Sequence, residues 1–214
     1  AINCALVALL GKRIFGKTAG WIAGVASALY APFILYDGEI LRGTVVMTTQ
    51  LALLLALVSR RSALAGVALG LSYLAEPSIL LFAPPAAVWL WWRSRWRPSL
   101  IFVSFAAAAL LPLAVRNVVV GAPFLSSTTR GPLAFVMGNA PDAQPGGAFI
   151  PPSTGVILHR SGYSMTATIS ETLRLYEGHY GALASRQWEK ARSLWNSFEV
   201  PDNPSFYYAA RISP

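Results

Sequence analysis

Charge is scarce in this chain. Only 12% of its 214 residues are Asp, Glu, Lys or Arg, about half the share of a soluble domain. That scarcity excludes the solvated surface an ordinary globular protein of this length needs. Cysteine is scarcer still: Cys4 stands alone, so no intrachain disulfide and no cysteine-based metal site can form. His159 and His179 are the only histidines, set apart without metal-motif spacing, and no Ser-His-Asp arrangement, phosphate loop or dinucleotide fingerprint occurs. The apolar stretch Ala1 to Leu10 is not expected to be a signal peptide, because it has neither a basic flank before it nor a small-residue cleavage site. It reads as the tail of a membrane helix whose beginning lies upstream.

What is present is apolar length punctuated by arginine. Hydrophobic residues make up 55% of the chain and mean hydropathy is +0.50. Lys12, Arg13 and Lys17 precede the first full apolar run, Arg60 and Arg61 follow the second, and Arg93, Arg95 and Arg97 follow the fourth. The gaps between hold Asp37, Glu39 and Arg42, then Glu76. A Lys, Arg or Asp at the centre of a membrane helix costs about 2.5–3.5 kcal/mol, so the clusters mark segment ends, and basic clusters stay on the cytoplasmic side. The gaps therefore alternate in and out. The net charge of +8 does not point to nucleic acid. Residues 1–115 hold nine cations against three acids, eight of the nine within the three basic clusters, and residues 116–214 hold eight against six, which leaves no basic patch over.

The runs Ala19 to Tyr36, Thr44 to Ser59 and Ser99 to Val115 are expected to span a bilayer at about 1.5 Å per residue. Ser62 to Ala75 and Ser78 to Trp92 are shorter and meet at Glu76 and Pro77. Their junction is either a tight turn at the outer surface, a sign of a locally thin bilayer, or a break below the surface lining a wet cavity. Trp89, Trp91, Trp92 and Trp96 beside the third basic cluster read as a headgroup-level anchor. Gly66 and Gly70 form a small-xxx-small pattern for close helix packing.

After Arg116 the composition turns to Pro, Gly, Ser, Thr and Asn. The domains expected are a transmembrane region over residues 1–115, an extracytoplasmic loop region over 116–163 and an extracytoplasmic helical cap over 164–214. Val118 to Phe124 fits a short strand or a helix exit. Ser126 to Tyr163 reads as loop because Gly and Pro punctuate it throughout. Met165 to Gly178 and Gly181 to Phe198 read as helices, the second with an apolar stripe of Leu183, Ala191, Leu194, Trp195 and Phe198. The fold class is mainly α: a polytopic helical bundle followed by a loop-rich, partly helical cap.

Three groups on the expected outer face carry chemistry. Asp37 and Glu39, with Arg42 nearby, are suited to general-base work, to holding a divalent cation through oxygen, or to contacting phosphate, and equally to a solvated ion pair. Glu76 is a functional acid if it lies at membrane depth and a polar helix end if it does not. Arg116 and Asn117, with Thr128 to Gly131 and Gly138, Asn139, Ala140 and Pro141 beyond them, combine a guanidinium with hydroxyls and free amides suited to a lipid-linked phosphate and to sugar hydroxyls. Snorkelling explains Arg116 alone as well.

The stretches GKRIFGKTAGWIAGVASALYAPFILYDGEIL (Gly11 to Leu41), LAGVALGLSYLAEPSILLFAP (Leu64 to Pro84) and LAVRNVVVGAPFLSSTTRGPLAFVMGNAP (Leu113 to Pro141) resemble the multi-pass glycosyltransferases of the dolichyl-phosphate-mannose protein mannosyltransferase type, glycosyltransferase family 39, and its bacterial relatives. WEKARSLWNSFEVPDNPSFYY (Trp188 to Tyr208) looks like the cap of one bacterial branch. The resemblance implies the GT-C membrane fold and transfer of a sugar from a polyprenyl-phosphate donor to a glycan, lipid or protein acceptor outside the cytoplasm. It places the catalytic acid in the first outer loop, upstream of Ala1, so no residue here is matched to it. Asp37, Glu39, Arg42, Glu76, Arg116, Asn117 and Asn139 are the substrate-binding candidates, with a divalent cation as the one cofactor to consider. Relatives often carry a basic residue where Glu76 stands, which reverses the local charge. The location implied is a bacterial inner membrane with the C-terminal region in the periplasm. A transporter or flippase subunit, or a non-catalytic membrane assembly protein, are the competing readings. Glu76 beside a helix break suits the former, while a long outward tail and the lack of any repeat speak against it.

Overall fold

A chain so poor in polar side chains must satisfy its backbone within each segment, and the α-helix does this without help from neighbours. The computed structural model describes residues 1–31, 33–34, 42–122, 124, 131–143, 150–193 and 195, and these are mainly helical with no strand among them. The chain divides into two compact units, Ala1–Ser127 and Thr128–Pro214.

The first unit contains α1 (Ile2–Phe15), α2 (Lys17–Leu29), α3 (Arg42–Val58), α4 (Ser62–Ala75), a 3-10 helix (Pro77–Phe82), α5 (Ala83–Ser94) and α6 (Trp96–Val119). Helix α6 is long and apolar enough to cross a membrane: 24 residues, with only 17% of its most apolar window buried inside the protein. At 1.5 Å per residue it reaches about 36 Å, more than a hydrocarbon core of about 30 Å. Residues 43–58 and 62–75 are apolar but shorter. The expected span from Ala19 to Tyr36 is interrupted within its length: α2 closes at Leu29 and Tyr30 turns extended, and Ala31, Phe33 and Ile34 are helical again. The run expected from Ser78 to Trp92 is divided between the 3-10 helix and a short α5. Pro77 donates no backbone hydrogen bond, and with Glu76 extended at φ −146° the ladder of α4 ends there.

Small residues set the packing. A Cβ on Gly66 would collide with the Phe102 carbonyl oxygen and lie 2.9 Å from the Ala106 nitrogen, and one on Gly70 would lie 2.5 Å from Ala109 Cβ. Gly66 thus meets the earlier part of α6 and Gly70 the next turn, so α4 and α6 run in the same direction. On α2, Gly20 and Gly24 make the same close approach to Ala8 of α1, where an added Cβ would lie 2.6 Å and 2.7 Å from its atoms. Helix α1 is fastened to α3 by a polar clasp: Thr48 Oγ1 donates to Asn3 Oδ1 at 2.7 Å and Asn3 Nδ2 to the Thr44 carbonyl at 3.4 Å, with Asn3 buried. Leu53, Leu57, Leu69, Leu90 and Phe102 form the apolar core between α3, α4, α5 and α6.

The second unit contains α7 (Gly131–Asn139), α8 (Thr154–Ser161), α9 (Met165–Arg174) and α10 (Tyr180–Ser193). The loop expected from Ser126 to Tyr163 therefore contains two helices. Its prolines do not prevent them: Pro132 lies in the first turn of α7 and Pro151 and Pro152 precede α8, positions where a missing N–H is harmless. Of the stretch expected as a short strand or a helix exit, Val118 and Val119 close α6, and Gly121 and Phe124 lie in turns. The helices expected after Met165 are present as α9 and α10. The apolar stripe of α10 is not buried, however: Leu183 is half-buried, Ala191 exposed and Trp195 88% exposed, while Leu194 and Phe198 lie outside the described residues.

Candidate functional site

The basic clusters of the first unit gather at one end of its helices. Lys12 and Arg13 close α1, Ser59 follows α3 and Arg61 opens α4, and all four border one groove. Arg60 and Arg61 border a second hollow with Pro98 and Ile101 from the start of α6. Arg60 and Arg95 hold left-handed backbones at φ 57° and 68°. These are glycine's positions by steric preference. Arg60 completes a Schellman turn, its amide bonded to the Leu57 carbonyl and that of Arg61 to the Ala56 carbonyl. Arg93 lies 5.2 Å from the Trp89 ring centroid and Arg97 5.8 Å from that of Trp96, while Trp91, Trp92 and Trp96 are exposed.

The candidate residues lie away from that end. Since α4 and α6 both start at the basic end and run the same way, Glu76 after α4 and Arg116 in the last turn of α6 share the opposite one. Glu76 is half-buried, and the Ser78 hydroxyl donates to its Oε1 at 3.1 Å. Its amide closes α4 on the Ser72 carbonyl at 2.7 Å. Arg116 is exposed and its Nη1 donates to Asn117 Oδ1 at 3.2 Å. Asn117 is fully buried, with Nδ2 donating to the Phe124 carbonyl at 3.2 Å and its own carbonyl accepting from the Ala122 amide at 2.8 Å. A buried carboxamide so bonded fixes the path of the chain as it leaves α6. Asp37 and Glu39 lie outside the described residues, and Arg42 is described only as the first residue of α3.

Asn139 belongs to the second unit, where it is the hub of a polar network. Its Oδ1 accepts from Lys190 Nζ at 2.8 Å and Gln187 Nε2 at 3.1 Å, its Nδ2 donates to the Phe135 carbonyl at 2.8 Å, and its carbonyl accepts from the Tyr176 hydroxyl at 2.8 Å. Arg186 adds two bonds beside it, to the carbonyls of Ala143 at 2.6 Å and Pro141 at 2.7 Å. Burial and then the neighbouring Arg186 charge push the Lys190 ammonium below its usual pKa. Asp142 accepts from the amide and hydroxyl of Ser153 at 2.8 and 2.6 Å, next to the start of α8. Partial burial pushes its carboxyl up, but the Ser153 bonds, its own amide and Arg186 together hold it below the usual value.

Two groups of residues escape a reading of the sequence alone. Tyr176, Arg186, Gln187 and Lys190 carry no motif, since what gathers them is tertiary structure. The groove between Lys12, Arg13 and Arg61 is hidden because those cations already serve as topology signals. The Gly20 and Gly24 contact did carry a signal, the same small-xxx-small spacing seen at Gly66 and Gly70. No three His, Cys, Asp or Glu side chains converge as a metal site among the described residues. Compared with protein families, with curated proteins and with solved structures, the chain matches none.

Proposed function

We propose that this chain is the membrane-spanning and outer-face part of a glycosyltransferase of the GT-C type, which takes a sugar from a polyprenyl-phosphate donor. The observation that carries the reading is polarity along the first unit: cations and tryptophans collect at one end, and Glu76 and Arg116 lie at the other. That distribution supports a multi-pass protein with its basic end at the cytoplasm. The end with Arg116 then faces the periplasm, in the inner membrane of a bacterium. The resemblance of Gly11 to Leu41, Leu64 to Pro84 and Leu113 to Pro141 to glycosyltransferase family 39 supplies the chemistry.

In that chemistry an acceptor hydroxyl oxygen attacks the anomeric carbon, the bond from that carbon to the phosphate oxygen breaks, and polyprenyl phosphate leaves with the electron pair. A general base, to which no residue of this chain is assigned, takes the hydroxyl proton. Arg116, exposed at headgroup level and steadied by Asn117, is suited to the phosphate of the leaving group, where a cation offsets developing charge. Asp37 or Glu39 orients the donor or a divalent cation, and Asn139 shapes the segment that follows Gly138. Arg116→Glu in the full-length protein, assayed in membranes with labelled polyprenyl-phosphate sugar, should lower transfer at least tenfold, in the range for a lost electrostatic contact. Unchanged transfer at normal expression rules Arg116 out. Absence of transfer by the unmodified protein from any such donor rules out the function.

The broken helix at Glu76 and Pro77, with an extended residue and a 3-10 turn, favours a second reading as a transporter subunit. Proton- or sodium-driven uptake abolished by Glu76→Gln would select it.

A further inference from the structure

We propose that the groove between α1, α3 and α4 binds an anionic glycerophospholipid of the cytoplasmic leaflet. The groove has a volume of about 780 Å3, within the range of pockets that enclose sizeable ligands. Helix α3 forms its floor, with Ala56 presenting a small side chain, and α1 and α4 form its walls. Leu9, Leu64 and Leu71 remain 49%, 53% and 47% exposed along it, so apolar surface is left without a partner among the described residues.

Charge commits the occupant. Lys12, Arg13 and Arg61 stand at one end of the groove with the Ser59 hydroxyl, and no acidic residue among the described residues lines it. None of the three cations has an ion pair among the described residues. Lys12 and Arg13 suit the C-terminal end of α1, but Arg61 is the N-cap of α4, where the helix dipole repels a cation and favours an anion. Three like charges from two helices around one mouth repel one another unless a counterion sits among them. A phosphodiester headgroup at that mouth, with acyl chains laid along Leu9, Leu64 and Leu71, answers both the charge and the bare apolar walls. Basic pockets between membrane helices on the cytoplasmic side suit this chemistry. A neutral lipid or an apolar helix would cover the walls and leave the cations uncompensated.

The inference rests on the membrane placement proposed above and not on sugar transfer. The test therefore starts with alkaline carbonate extraction of membranes carrying the full chain: release of the chain overturns the membrane placement and this proposal with it. For a membrane-resident chain, detergent-purified protein is titrated with dioleoyl phosphatidylglycerol or dioleoyl phosphatidylcholine and the bound lipid counted by native mass spectrometry. Phosphatidylglycerol should bind tighter by roughly ten- to a hundredfold, since each of three surface cations contributes up to about fivefold. The triple variant Lys12→Gln, Arg13→Gln, Arg61→Gln should lose that preference. Arg93→Gln, Arg95→Gln, Arg97→Gln removes as much charge from outside the groove and should keep it. Val67→Trp, which fills the groove and leaves every cation in place, should weaken both lipids. Equal affinity for the two lipids overturns the proposal, as does an equal loss in both triple variants or binding indifferent to Val67→Trp. A dimer that Val67→Trp dissociates, without lipid preference, assigns the groove to a second copy and overturns it as well.

Discussion

The two units of this chain differ in what brings their helices closest. In Ala1–Ser127 the tightest contacts between helices are absences: Gly20, Gly24, Gly66 and Gly70 leave out a side chain so that backbones touch. In Thr128–Pro214 a small apolar core of Val136, Ala140, Ile157 and Leu158 is joined by polar additions, with Tyr176, Arg186, Gln187 and Lys190 reaching carbonyl or carboxamide oxygens. Even the buried seam between α8 and α9 is hydroxylic, Thr168 Oγ1 donating to Ser161 Oγ at 2.8 Å and Thr172 to the Thr168 carbonyl. On the membrane placement proposed above, the difference follows from the solvent each composition suits. Where lipid tails are as apolar as leucine, burial of leucine drives nothing, and close van der Waals approach decides. Where water competes, a helix such as α10 with no buried residue needs directional bonds to stay in place.

The sharpest way to break this contrast is to put a side chain where the first unit has none. Gly66→Leu forces α4 away from the Phe102 carbonyl and Ala106, and should destabilise by about 3 kcal/mol or more. Gly43 has nothing within 4 Å of an added Cβ, so Gly43→Leu should leave the melting temperature in detergent nearly unchanged. Equal behaviour of the two would mean that close approach does not hold α4 to α6.

The corresponding cut in the second unit removes a bond instead of adding bulk. Asn139→Ala deletes the acceptor shared by Lys190 and Gln187 and the bond to Phe135, for an expected loss of about 1–3 kcal/mol. Amide hydrogen exchange should quicken in α10 and leave α4 and α6 protected. Faster exchange in α6 instead would show that Asn139 supports the apolar helices too.

How far the sequence disclosed each unit follows from the same difference. The helix α4 from Ser62 to Ala75, the break at Pro77 and the packing of Gly66 could be read directly, because apolar periods, proline and glycine spacing are local signals. The extents of α2 and α5 could not, since hydropathy runs on past the points where Tyr30 and Pro77 interrupt the backbone ladder. In the second unit, counting Gly and Pro over 126–163 suggested loop, yet α7 and α8 form because the prolines sit at or before first turns. Of the site, Asn117 and Asn139 stand out in the sequence only as substrate-binding candidates. Their bonding partners, separated by up to 51 positions for Lys190, had no trace in any motif.

One exception within the first unit sharpens the rule. Asn3 and Thr48 make a polar contact between apolar helices, and buried carboxamides in such surroundings contribute about 0.6–2 kcal/mol. Asn3→Leu should cost about that much. Thr48 keeps its own bond to the Thr44 carbonyl at 2.7 Å, so no hydroxyl is left bare. A neutral outcome would reduce the clasp to register-setting, which a shift in cross-linking between α1 and α3 would reveal.

The smallest effect expected is on acid stability, and it belongs to the second unit alone. Asp142 is held below the usual carboxylate value by the Ser153 hydroxyl and amide bonds, which outweigh its slight burial, with Arg186 adding to them. A depressed carboxylate stabilises the folded state fully above the unfolded pKa of about 3.9 and loses that contribution as pH falls through its folded value. Because the group is largely in water, screening keeps the contribution small. Hydrogen exchange in α8 should therefore quicken modestly below about pH 4, and in Asp142→Asn exchange should already be quickened at neutral pH with this acid dependence gone. An acid response in α8 that persists undiminished in Asp142→Asn would assign the acid sensitivity to another carboxylate and leave the Ser153 contact as a matter of geometry alone.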